Sequence, residues 1–153
     1  MLPGLAAKFF ADGRELASAE EISAAALHAF RLSAKRFRYT LELFQNCYGP
    51  SLEEKLESLA GLQQVLGEMS DCASTRTLIG SGRFDSFAHR AEFFARLDAR
   101  LTEKAAEFVK LWRSTFDTEA EQRRWTAYLR HPTAQGKKRK AASGPRKGRS
   151  KPK

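Results

Sequence analysis

The chain lacks the features that mark membrane and secreted proteins. It has no apolar run near the ~20 residues that a membrane-spanning helix needs. Its N-terminal apolar stretch is interrupted by Pro3, Gly4 and Lys8, and no basic segment precedes it, so it does not resemble a signal peptide. We therefore expect a cytoplasmic protein without a membrane contact.

Residues for metal, redox or nucleophilic chemistry are scarce. Two cysteines, Cys47 and Cys72, lack the spacing of a zinc or dithiol motif, so reduced thiols are expected. The histidines His28, His89 and His131 form no pair at helical spacing, and neither a P-loop nor a nucleophile elbow occurs. The sequence therefore predicts a protein that is not an enzyme and that holds no metal and no other cofactor.

Acidic residues are absent from the C-terminal end. Residues 137–153 contain nine of the 27 Lys and Arg residues, and the other 18 are balanced by 18 Asp and Glu in residues 1–136. The net charge of +9 therefore belongs to a tail, and the rest of the chain is formally neutral. Residues 132–153 combine these cations with Pro, Gly, Ser and Ala, which predicts a disordered basic tail.

Strand and hairpin patterns are missing as well, and apolar residues recur every three or four positions. This period predicts an all-α, antiparallel helical bundle. Ser18 and Glu21 match a capping box that would begin a helix ending near residue 46. Further helices are expected from Ser51 to Ile79, over 84–116 and over 119–130.

These patterns divide the chain into three parts. Residues 1–19 are expected to be an N-terminal lead-in, residues 20–131 the helical domain and residues 132–153 the tail. Within the third helix, Arg96, Arg100 and Lys104 form a row roughly opposite the apolar stripe and are expected to face solvent.

The first predicted helix carries cations along one face. At 100° per residue, His28, Arg31, Lys35 and Arg38 share that face, which spans about 15 Å along the helix. Tyr39 and Glu42 lie beside the row, and the opposite face carries Phe30, Ala34, Phe37, Leu41 and Phe44. Leu32 and Leu43 flank the row, so we expect other helices to cover part of it. Because arginine holds phosphate oxygens with a planar fork, the row suits a long anion.

Two separated motifs resemble those of the CHAD domain, the conserved histidine α-helical domain. They are His28-x-x-Arg31-x-x-x-Lys35-Arg36-x-Arg38-Tyr39-x-x-Glu42-Leu43 and Leu62-Gln63-x-x-Leu66-Gly67-x-x-x-Asp71. The resemblance implies an all-helical protein that binds inorganic polyphosphate and is often associated with polyphosphate granules in bacteria. It also implies that Gly67 serves helix packing and that Asp71 orients a basic side chain.

The resemblance implies a polyphosphate site of five residues: His28, Arg31, Lys35, Arg36 and Arg38. Tyr39, Arg83 and Arg90 are candidates for additional anion contacts, because Arg83 and Arg90 lie near the apolar side of the third helix. The family usually has two such helical units facing a central cavity, and this chain has one. It therefore resembles half of the double bundle. Either one unit binds through a shallower face, or two chains pair to rebuild the double bundle, and we favour the homodimer.

Two other functions stay open at this point. The basic tail would attract nucleic acid without sequence specificity, since it offers charge but no aromatic residues for base stacking. A regulatory bundle that binds a metal or small anion through His28, Glu42 and Asp71 ranks last, because the nearby cations disfavour a bound metal ion.

Overall fold

The computed structural model describes residues 1–82 and 88–132, and within these ranges the chain is helical without any strand. Five α-helices and one short 3-10 turn follow one another. They are α1 (Leu2–Ser18), α2 (Ala24–Leu43), the 3-10 turn (Gln45–Cys47), α3 (Ser51–Gly80), α4 (Arg90–Thr115) and α5 (Glu119–Arg130). The prediction of an all-α helical bundle is confirmed. The division into domains at residues 20 and 132 stays a prediction.

The N-terminal segment forms a helix that was not predicted, and the first predicted helix begins later than expected, at Ala24. Residues 2–18 form α1, and Ser18 is the last residue of this helix instead of the N-cap of the next. Ser23 caps α2, because its hydroxyl accepts a hydrogen bond of 3.1 Å from the backbone N–H of Ala26. The predicted position of the cap was wrong, because the packing of α1 in the core continues this helix as far as Ser18. Pro3 fits the first turn of α1, where its missing N–H has no intrahelical partner to lose.

α1 contributes directly to the hydrophobic core. Phe9 and Phe10 are fully buried, and the ring of Phe9 contacts rings on α2 and at the C-terminal end of α4. Its ring centroid lies 5.0 Å from that of Phe37 on α2 and 5.5 Å from those of Trp112 and Phe116. Such aromatic pairs stabilise a core beyond the area they bury. Residues 2–18 are therefore a structural part of the bundle.

The helices pack in an order that places α3 between α2 and α4. α1 packs on α2, α2 on α3 and α3 on α4, while α5 returns to pack on α1. Short connections join α1 to α2 and α2 to α3, so neighbours in this part of the bundle run antiparallel. A cavity of about 1190 Å³ lies between the start of α2, α3 and α4.

The cationic row on α4 is only partly exposed. Arg96 is in solvent, and Arg100 lies 3.1 Å from Glu68 of α3. Lys104 is buried, with its ammonium 2.8 Å from Glu68 and 2.6 Å from Glu107. The expectation that Lys104 faces solvent was wrong, because an acid on the neighbouring helix stabilises its charge inside the interface.

The same cluster shifts two pKa values. The hydrogen bonds to Glu107 and Glu68 raise the pKa of Lys104 above its ordinary value. The hydrogen bond from Lys104 lowers the pKa of Glu68. Both shifts favour the charged forms, so the contact between α3 and α4 includes an ion pair that persists at neutral pH.

Candidate anion-binding groove

The core packing of α2 determines where its cations lie. Phe30, Ala34, Phe37 and Leu41 are buried, with exposed fractions of 2% or less. Their position fixes the rotation of the helix about its axis, because residues at i, i+3 and i+4 share one face. His28, Arg31, Lys35 and Arg38 consequently lie together on the flank of α2 that borders α3. His28 is exposed, and the three cations are half-buried.

Arg38 connects this flank to α3. Its Nε lies 2.9 Å from Oε1 of Glu42, and its Nη1 donates a hydrogen bond of 2.9 Å to Oε1 of Gln63. Gln63 belongs to the second sequence motif and Arg38 to the first. The two motifs therefore meet in space where α2 packs on α3. We call the seam between the two helices, from residue 28 to 38 on α2 and from residue 63 to 74 on α3, the groove, and its two sides the walls. The carboxylate of Glu42 already neutralises Arg38. Arg38 therefore forms a fixed contact that closes one end of this groove.

The other cations of α2 carry uncompensated charge. Arg31, Lys35 and Arg36 have no ion pair among the described residues. Most Lys and Arg residues outside α2 do have one, such as Lys8 with Asp12 at 2.8 Å. Elsewhere in the described ranges, Lys110, Arg113 and Arg130 also lack an ion pair. Parallel cations without acids repel one another, and a bound anion relieves that repulsion.

Arg36 is not brought together with the row. It lines a separate cavity of about 440 Å³ between α1 and α2, which it shares with Lys8, Asp12 and Glu15. At 100° per residue it lies on the opposite flank of α2 from Arg31. The structure therefore groups four of the five predicted site residues and places the fifth on another groove.

The outer side of the row is open. Leu32, Tyr39 and Leu43 are exposed by 51%, 51% and 82%. The face is therefore covered in part, as expected: α3 contacts the row at Arg38, whereas the flank that carries Leu32 and Leu43 is exposed. Tyr39 stays beside the row, where its ring is accessible to a ligand bound there.

The other residues predicted to contribute to the site are not part of the groove as described. Arg90 begins α4 and lies 5.4 Å from the ring centroid of Phe94, outside the cavity at His28. Arg83 and the tail cations lie outside the described residues. Asp71 is exposed and makes no ion pair within the described ranges, so it does not orient a basic side chain there.

Gly67 does not serve close helix packing. A Cβ atom built at this position would meet no atom within 4 Å. The packing role implied by the resemblance was therefore wrong for this chain. The open space lies on the α3 wall, in the turn that follows Gln63, and it leaves room in the groove.

Two residues of the α3 wall were not predicted from the sequence. Ser70 and Ser74 line a cavity of about 560 Å³ that also borders His28. Both follow Gln63 at helical spacings, so all three lie on the same face of α3. That periodicity was visible in the sequence, but nothing local distinguished these serines from ordinary solvent-facing ones.

Two further features of the described ranges bear on the site. No group of three or more His, Cys, Asp or Glu residues there is arranged to hold a metal ion. In the same ranges, no helix has both the length and the apolar character required to cross a bilayer.

A family model described as the CHAD domain matches residues 1–80, which contain α1, α2 and α3 together with both sequence motifs. No curated protein and no solved structure matches the chain. The matched segment thus contains both walls of the groove.

Proposed function

The chain belongs to the CHAD domain family, and from this membership we propose that it binds inorganic polyphosphate, without catalysis, in the groove between α2 and α3. The family is associated with polyphosphate binding. The single observation that carries the proposal for this chain is the pair of uncompensated cations, Arg31 and Lys35, between His28 and the Arg38–Gln63 contact.

The chemistry of the groove suits a phosphate chain. The row from His28 to Arg38 extends over about 15 Å at the helical rise of α2. A linear polyanion can place successive charges along this length, and each cation that it neutralises releases condensed counterions. Arg31 supplies a planar fork for phosphate oxygens, and Lys35 supplies a compact charge. His28 lies at the exposed end of the row.

The test is a titration of the full chain with fluorescently labelled long-chain polyphosphate across a salt series. The Arg31→Ala/Lys35→Ala variant should reduce the slope of log K against log salt by about 1.4, as expected for two lost phosphate contacts on a flexible strand. Its affinity at low salt should fall at least about tenfold.

The matched control is Lys110→Ala/Arg113→Ala. It removes the same charge from two other cations that lack an ion pair in the described ranges, but these lie on α4. The control should bind like the wild type. Equal binding by the wild type and Arg31→Ala/Lys35→Ala, or equal losses in both variants, would contradict the assignment to this groove.

Two consequences belong to the same proposal. The protein would associate with polyphosphate granules, which microscopy of the labelled wild type and of Arg31→Ala/Lys35→Ala can compare. The given sequence contains the His/Arg motif once, on α2, and a second copy of the chain could supply a second row. Light scattering measures whether the chain is a homodimer.

Nucleic acid is the second candidate ligand, and the charge of the tail favours it. Nine cations in residues 137–153 would bind a polyanion through counterion release alone. Replacing these nine residues by glutamine should abolish duplex DNA binding and leave most polyphosphate binding intact. Unchanged DNA affinity in this variant would exclude the tail as the contact.

A further inference from the structure

We propose that the hydroxyl groups of Ser70 and Ser74 form a second, uncharged binding wall, which donates hydrogen bonds to the phosphate oxygens of a chain held by the α2 cations. This inference rests on the proposed polyphosphate function. It gives a ligand-binding role to the α3 side of the same groove, where Gln63 is the one motif residue with a described hydrogen bond to α2.

The two hydroxyls are not committed to their own helix. Serine and threonine within a helix commonly donate to the carbonyl four residues before. Ser58 does so to Glu54 at 3.0 Å, and Thr102 does so to Asp98 at 2.9 Å. Ser70 and Ser74 make no hydrogen bond with any described residue. Their donors are therefore available to a ligand.

The antiparallel register of α2 and α3 places these hydroxyls opposite the cations. Arg38 contacts Gln63, and the cavity next to His28 contains Ser74. Because the helices are antiparallel, residues with decreasing numbers on α2 lie opposite residues with increasing numbers on α3 between these two contacts. Arg31 accordingly faces the turn of α3 that contains Ser70.

The two walls also match in length. Residues 63–74 of α3 extend over about 16 Å, and residues 28–38 of α2 over about 15 Å. Lys35 faces the turn that contains Gly67, where the open space leaves room for a phosphate group. A chain could therefore contact both walls along the entire row.

The α3 residues that line the cavity at His28 are uncharged and include hydrogen-bond donors. No acidic residue lines the cavity shared by His28, Ser70 and Ser74. The side-chain Nε2 of Gln63 is buried and has no hydrogen-bond partner in the described ranges, so it supplies a further unsatisfied donor. An anion in the groove would thus meet charge from one wall and hydrogen-bond donors from the other.

The two walls should differ in their dependence on salt. Contacts from Arg31 and Lys35 release counterions and weaken with salt, whereas contacts from neutral hydroxyls release none. The Ser70→Ala/Ser74→Ala variant of the full chain should therefore bind long-chain polyphosphate about tenfold more weakly at every salt concentration, as expected for the loss of hydrogen bonds to a charged group. The slope of log K against log salt should not change.

The control variant is Ser58→Ala/Thr102→Ala, which removes two hydroxyls that are bonded to their own helix. It should bind like the wild type. A second variant, Ser74→Asp, places a negative charge in the groove and should weaken binding more than Ser74→Ala. Circular dichroism should give both serine variants the helicity and melting temperature of the wild type.

The outcomes separate this inference from the proposed function. If Arg31→Ala/Lys35→Ala loses affinity but Ser70→Ala/Ser74→Ala and Ser74→Asp bind like the wild type, the α3 wall is refuted and the function stands. A reduced salt slope in the serine variant would also refute it, because neutral donors release no counterions. If the wild type fails to bind polyphosphate at all, the function and this inference are both overturned.

Discussion

Gly13 is the position where one added methyl group should test the packing of the bundle. It lies buried in the middle of α1, and a Cβ atom there would overlap the indole ring of Trp112 on α4. The ring has little freedom to move aside, because Trp112 is itself fully buried. Ring centroids surround it at 5.2–6.3 Å, from Phe9, Phe10, Phe30, Phe108 and Phe116.

Two opposing effects determine the stability of Gly13→Ala. Alanine favours the helix by about 1 kcal/mol relative to glycine. Overpacking a rigid core costs about 1–3 kcal/mol, and the surroundings of Trp112 place this case near the upper limit. We therefore expect a net loss of about 2 kcal/mol in the free energy of unfolding. At about 4 °C per kcal/mol for a domain of this size, the melting temperature should fall by about 8 °C.

Gly61→Ala is the matched control. Gly61 is also inside a helix, and its Cβ would meet no atom within 4 Å, so only the helix propensity acts. This variant should melt about 4 °C higher than the wild type. Thermal unfolding followed by circular dichroism at 222 nm measures both changes on one instrument.

A double-mutant cycle identifies the contact that is responsible. In a Trp112→Phe background the smaller ring leaves space, so Gly13→Ala should cost much less than in the wild type. If Gly13→Ala instead raises the melting temperature as Gly61→Ala does, α1 does not pack against Trp112 and the described core is wrong.

Two further variants test other parts of the structure. Because the pKa of Glu68 is lowered in the folded protein, its ion pair with Lys104 stabilises the fold above the ordinary value of 4.5 and is lost as the pH falls through the folded pKa. Glu68→Gln should thus flatten the acid limb of a plot of unfolding free energy against pH, whereas the exposed Glu57→Gln should leave it steep. The hydroxyl of Tyr48 donates a buried hydrogen bond of 2.8 Å to the carbonyl of Leu129. Tyr48→Phe should cost about 1–2 kcal/mol in urea unfolding, and no loss would contradict that contact.

The sequence predicted the helices best where the local signals agreed. α5 begins after Thr118, whose hydroxyl accepts a hydrogen bond of 3.0 Å from the backbone N–H of Glu121, and α3 ends at Gly80 as expected. The N-terminus differed because Ser18 and Ser23 both suit a cap, and the capping-box pattern favours Ser18. Packing of α1 against distant residues determined the outcome, and a local pattern contains no information about such contacts.

Part of the candidate site could also be predicted from local patterns in the sequence. Helical periodicity correctly placed His28, Arg31, Lys35 and Arg38 on one flank, because the core residues of α2 set that geometry. Arg36 entered the predicted site through the motif, although its helical angle separates it from the row. The acid partners of Lys104 include one from another helix, so its burial could not be derived from α4 alone.

The location of the tryptophans has a practical consequence for spectroscopy. Trp112 and Trp125, the two tryptophans of the chain, are both buried in the aromatic core, with exposed fractions of 0% and 2%. Neither lines the cavity at His28. Their emission should be blue-shifted, should report the integrity of the core and should change little when an anion occupies α2. Intrinsic fluorescence therefore provides an internal check during a titration, since a red shift would show unfolding rather than binding.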